Sequence, residues 1–353
     1  MKEARKMAAI FLILVMIFSL AACGGGGGGQ KVSTTINVFN WGDYIDESVL
    51  TDFEKEYGIK VNYDYFATNE EMYVKLKSGG TDYDVLFPSD YMIARLIKED
   101  MLHKLDFNNI PNIEHIDDRF KNLDYDPNNE YSVPYMWGTV GIAYNTTMVD
   151  EPVDSWNILW DPKYEGNILM MDSQRDSIAV ALKKLGYSLN SRNEAELEQA
   201  KEELIKQKPL VLSYVGDEVK DKMIGGEAAL AVVYSGEVIA IRWENPDIAY
   251  SIPKEGSNLW FDAMVIPKTS QNKEAAEKFI DFMTRPEIAV RNAEYVGYSI
   301  PNTTAIEMLD EELRNDEVAY PDLDSLDNCE VFEDVSDVIE VYNRIWDQVK
   351  AAH

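Results

Sequence analysis

The chain has 353 residues, with 63 acidic against 33 basic side chains and a formal charge of −30. Such a surface repels nucleic acid and anionic membranes and attracts cations at range. Hydrophobic content of 46% and charged content of 27% exclude a disordered polymer, and the length suits two domains or one large one.

Residues 1–22 read as a secretory leader: a basic start (Lys2, Arg5, Lys6), an apolar run from Met7 to Leu20, then Ala21 and Ala22. The run is shorter than the ~20 residues a helix needs to cross a bilayer. The sequence Leu20-Ala21-Ala22-Cys23 resembles the lipobox of bacterial lipoproteins. That resemblance implies a lipid on Cys23, which would hold the exported chain on the outer face of the bacterial cytoplasmic membrane. Gly24 to Gly29 is an unbroken glycine run, so residues 23–30 are expected to be a lipidated flexible tether. With Cys23 so used, Cys329 has no partner and no disulfide is expected.

Downstream, Ile36–Phe39 predicts a strand. Asp46–Tyr57 predicts a helix, with Leu50, Phe53 and Tyr57 on one face and Gly58 as its stop. Strand patterns at Ile59–Tyr65 and Tyr83–Phe87 flank a short helix at Glu70–Lys77. This βαβαβ order implies a mainly parallel sheet covered by helices. Val133–Tyr144 is extended, and is where the chain is expected to leave a first lobe. A second α/β stretch follows, with strands at Asn167–Met171, Leu210–Tyr214 and Ala229–Val233. Helices are expected near Asp176–Leu185, Glu194–Lys206, Ser235–Trp243 and Lys273–Met283. No internal repeat and no long linker separate the two stretches.

Catalytic constellations are missing. The three His (His103, His115, His353) lack metal-ligand spacing, and no glycine-rich phosphate loop is present. Asp124–Glu130 and Asp322–Asp327 lack the glycine of a calcium loop and read as turns. No metal and no cofactor is expected. What stands out is aromatic residues beside single carboxylates, read as loops after strands. They are Trp41-Gly42-Asp43-Tyr44, Ser89-Asp90-Tyr91 and Trp260-Phe261-Asp262, with Gly297-Tyr298 adding a further ring. Loops at strand C-ends line the crevice of open α/β sheets. Carboxylates neutralise ammonium ends, and aromatic faces hold both cations and methylenes. Two other readings of these residues remain open: the same scaffold with another small ligand, or a surface hydrolase using paired carboxylates such as Asp43 and Asp262.

Val38–Tyr44, Phe53–Val61, Asn69–Lys77, Tyr83–Ser89, Tyr131–Gly138, Leu182–Ser188 and Gly297–Asn302 together resemble the spermidine/putrescine-binding proteins of bacterial ABC importers. The likeness runs from about Thr35 to the C-terminus. It implies a two-lobed α/β fold of the periplasmic-binding-protein kind, with a ligand cleft at the hinge. The lobes would be residues 31–138 plus 261–306, and 143–255 plus 313–353. It implies no enzymatic activity, a small linear polyamine as ligand, a permease as partner and a monomer. By position it carries Trp41, Tyr44, Tyr234, Trp260 and Tyr298 over as the walls around the methylene chain. Asp43, Ser89 and Tyr91 carry over as polar contacts, and Asp176 and Asp262 as the carboxylates that meet amines. The chain departs from the family pattern at Ser173 (beside Asp172), at Tyr234 and at Phe332 (beside Glu333).

Overall fold

The computed structural model describes residues 34–79 and 82–352. The expected leader, Cys23 and the glycine tether lie outside them.

Strand β1 (Thr35–Trp41) buries Ile36, Val38 and Phe39. Helix α1 (Ser48–Tyr57) buries Val49, Leu50 and Phe53. It ends at Gly58, whose φ of 66° lets its N–H reach back to the Glu54 carbonyl. Strand β2 (Lys60–Phe66) pairs parallel with β1. Helix α2 (Asn69–Ser78) is capped by Thr68, whose side chain accepts the Glu71 N–H. Strand β3 (Val85–Leu86), shorter than expected, pairs parallel with β1 on its other side and leads into α3 (Asp90–Lys98).

The turn before the next strand is organised by Asp126, whose Oδ2 accepts the N–H groups of Tyr131 and Ser132. Strand β4 (Ser132–Asn145) then runs fourteen residues, almost wholly buried. Beyond it come β5 (Ile168–Met171), α4 (Gln174–Lys184), α5 (Glu194–Gln207), β6 (Val211–Val215) and α6 (Val219–Ile224). They are followed by β7 (Leu230–Tyr234), α7 (Ser235–Glu244), β8 (Ile248–Ser251) and β9 (Leu259–Val265). Helices α8 (Lys273–Thr284), α9 (Pro286–Val296), α10 (Thr303–Met308), α11 (Glu311–Arg314) and α12 (Ile339–Ala351) complete the chain. The last of these packs on α4 and α5.

The strands form one sheet in the order β2-β1-β3-β9-β4-β7-β5-β6, with β8 also on β4. Its outer parts are parallel: β2-β1-β3 on one side, β7-β5-β6 on the other. The centre is antiparallel, a feature the βαβ pattern does not announce. Ser132–Thr139 of β4 pair with β9, and Val140–Asn145 pair with β7 and β8. One strand, β4, therefore carries the chain from the first half-sheet into the second. Chain returns by β9, and the two halves share strands instead of a linker.

Trp260 and Asp262 do not sit in a loop, as their pattern suggested, but within β9. The segment Leu259–Val265 lies between β3 and β4 and is buried along its length, so it lacks the alternation that marks a half-exposed strand. Their spacing of two puts both side chains on one face.

Candidate functional site

The C-terminal ends of the parallel strands of both half-sheets face one cleft of about 160 Å³. Trp41 ends β1, Asp43 and Tyr44 follow it, and Ser89 and Tyr91 follow β3. Asp172, Ser173 and Asp176 follow β5, Tyr234 ends β7, and Tyr298 follows α9. All of these, with Trp260, Asp262 and Phe332, line the cleft. Glu333 does not. Its carboxylate turns away to Arg192, 3.0 Å distant. Asp172 is partly spent on Lys350, at 2.6 Å.

Four rings stand edge to face along the cleft. Tyr234 meets Trp260 (centroids 5.8 Å apart), Trp260 meets Tyr298 (5.5 Å) and Tyr298 meets Tyr44 (5.4 Å). The backbone makes room for them. A Cβ on Gly138 of β4 would come within 2.7 Å of Trp260, and one on Gly236 within 2.2 Å of Tyr298. Trp41 is fixed by its indole N–H, which donates to the Phe87 carbonyl at 2.8 Å.

A carboxylate stands near each end of this row. Asp262 is 5% exposed; its Oδ2 accepts the Tyr44 hydroxyl at 2.9 Å, while its Oδ1 has no hydrogen-bond partner among the described residues. Asp176, 6% exposed, accepts the Ser173 hydroxyl at 2.5 Å and the Tyr234 hydroxyl at 3.0 Å, both on Oδ2. Its Oδ1 is likewise without a partner. Burial pushes the Asp262 carboxyl up to about 7, against the pull of the Ser89 and Tyr44 hydroxyls. Burial also raises Asp176, against the Ser173 and Tyr234 hydroxyls and the nearby Arg175 charge. Neither acid has a salt-bridge partner among the described residues. Two desolvated carboxylates in a cleft lined by aromatic rings, each with one oxygen that has no partner among the described residues, are equipped to receive a cation with N–H donors.

Asp90, which the sequence pattern places in the same loop, has a different task. Its two oxygens accept the Tyr91 and Phe261 N–H groups and so tie β9 to the start of α3. Asp43 is largely exposed and pairs with Lys220 at 3.0 Å.

The cleft also contains residues that the sequence did not single out. Glu237 is buried and its carboxyl is pushed up to about 8 by desolvation, although it accepts the Tyr234 N–H. Asp217 and Lys220 stand at the end of β6 and in α6, and Arg175 lies beside Asp176. The Arg175 guanidinium sits 4.3 Å from the Phe332 ring centroid and donates to the Glu333 carbonyl and the Asn190 side chain. Glu237 had a weak signal, because an acid three residues past a strand end reads as a helix start. Arg175 and Lys220 had none, since their partners come from distant segments.

Residues 48–320 match the family described as bacterial extracellular solute-binding protein. The spermidine/putrescine-binding periplasmic protein of Escherichia coli K12 is 37% identical over 321 residues, covering 90% of this chain and 92% of that one. A spermidine/putrescine ABC transporter structure from Listeria monocytogenes is 46% identical with a TM-score of 0.88, covering 91% of this chain and 100% of that one. The spermidine/putrescine ABC transporter substrate-binding protein of Streptococcus pneumoniae is 45% identical with a TM-score of 0.77, covering 90% and 99%.

Proposed function

The chain belongs to the bacterial extracellular solute-binding proteins, and from that premise we propose that its cleft captures a linear polyamine and delivers it to an ABC importer. The observation that carries this reading is the pair Asp176 and Asp262, each buried with one unpartnered oxygen, at either side of the row Tyr234, Trp260, Tyr298 and Tyr44. Ammonium groups supply the missing donors and neutralise both charges. The ring faces hold the methylenes between them and add cation–π attraction. Trp41, Ser89 and Tyr91 complete the walls. The polyamine-binding relatives support the same ligand class.

Loading would draw the two half-sheets together about the strands they share, β4 and β9, giving the membrane permease a closed shape to recognise. The protein acts as a carrier, not a catalyst, and as a monomer. A lipid on Cys23 and the glycine run would keep it near its permease; mass spectrometry of the protein from membranes tests this, and an unmodified Cys23 contradicts it.

The ligand class is tested by thermal melting. Polyamine at ~100 times its dissociation constant should add about 2.7 kcal/mol of stability and raise the melting temperature, whereas neutral sugars and acidic amino acids should not. A melting temperature left unchanged by every polyamine would overturn the reading.

A further inference from the structure

The cleft contains a cation of the protein's own. Lys220, on α6 in the second half, reaches to the loop after β1 in the first, where its Nζ lies 3.0 Å from Asp43 Oδ2. Two more carboxylates, Asp217 and Glu237, line the cleft together with this ammonium. The sides meet closely here, since a Cβ on Gly42 would lie 3.0 Å from Asp217 Oδ2. Glu237 follows Gly236, against which the Tyr298 ring lies, so this cluster borders the aromatic row. Beside Asp176, the acid Glu70 is occupied by the Tyr91 hydroxyl at 3.0 Å, and Arg175 adds a positive charge. The cleft thus presents two buried carboxylates with a free oxygen, and a third acidic position that already holds an ammonium.

We propose that Lys220 is a specificity-determining residue: its ammonium fills the position made by Asp43, Asp217 and Glu237, and so sets the cleft for a diamine over a triamine. This rests on the polyamine reading. A diamine matches its two charges at Asp176 and Asp262 and leaves the Lys220–Asp43 pair intact. The third ammonium of a triamine must either stand beside Lys220, against like charge, or displace it from its carboxylates. Removing the lysine charge frees the three acids for that third ammonium.

The test is calorimetric titration of putrescine and spermidine into the purified protein and its Lys220→Met and Lys220→Glu variants. The wild type is expected to bind putrescine more tightly than spermidine. In Lys220→Met the spermidine-to-putrescine affinity ratio should rise about tenfold, the gain of one charge-assisted contact, and Lys220→Glu should move it further the same way. Lys222→Met is the control, because that lysine pairs with Glu227 outside the cleft. An equal shift from the control, an unchanged ratio in the Lys220 variants, or spermidine preference in the wild type overturns the role of Lys220 while leaving the polyamine reading in place. Absence of binding by either amine overturns both.

Discussion

At the residue scale, Asp262 links binding to pH. Its folded carboxyl titrates near 7, against about 3.9 in an unfolded chain. The folded protein therefore holds this proton more tightly. Below about pH 4 both states are protonated and Asp262 exacts no penalty. As pH rises from there through 7, the empty folded state must either keep the proton or bear a buried charge, so its stability falls. Binding has the opposite dependence, because an ammonium wants the ionised form, and affinity should decline as pH drops below about 7. Denaturant melts and titrations across pH 5 to 8 check both signs. Asp262→Asn should cost the amine about 100-fold or more in affinity, as for truncating one partner of a buried charge pair, while flattening this part of the stability profile. Retained affinity in that variant would remove Asp262 from the site. The sequence led to Asp262 because a carboxylate directly after two aromatic residues is hard to explain as packing. Its neighbour Glu237 was hidden, because an acid at a helix start has an ordinary explanation in capping.

At the scale of elements, amphipathic patterns were the legible part. Helix α1 with its glycine stop and helix α8 with its Ala276, Phe279, Ile280 and Met283 face stood in the chain as apolar periodicity. Strand β9 did not, because a strand buried on both faces has no alternation and Asp262 breaks its apolar run. The short strand β8 gave little pattern, whereas helix α9, absent from the sequence expectations, does carry helix signals in Pro286 at its start, Gly297 at its end and the spacing of Ile288, Ala289, Ala293 and Val296. The Tyr298 wall depends on a contact between elements: Gly236 in the first turn of α7 lets the ring lie against the helix backbone. Gly236→Ala should push Tyr298 out of the row and cost about 1–3 kcal/mol of stability through overpacking. Polyamine affinity should fall with it. Thermal melts and titration of the same variant read both effects, and an unmoved affinity would mean Tyr298 is not part of the wall.

At the scale of the whole molecule, the fold brings strand ends of two half-sheets to one cleft, and thirteen of the fourteen sequence-derived ligand residues line it. That convergence was legible only through the family resemblance, since no spacing in the chain relates Trp41 to Asp176 or Tyr298. The net charge of −30 acts at this scale as a long-range attractor. Association with a polyamine should slow about tenfold or more between low and physiological salt as the field is screened. Stopped-flow tryptophan fluorescence, with Trp41 and Trp260 in the cleft as reporters, measures it; a salt-independent rate would place the attraction entirely in short-range contacts. The most direct measurement is calorimetric titration of the ligand-stripped protein with putrescine, cadaverine, spermidine and spermine. The account predicts saturable one-to-one binding of at least one of them, lost in Asp262→Asn and in Trp260→Ala. No binding of any of the four would contradict it, and would leave the buried acids Asp176 and Asp262 to be explained by a ligand of another kind.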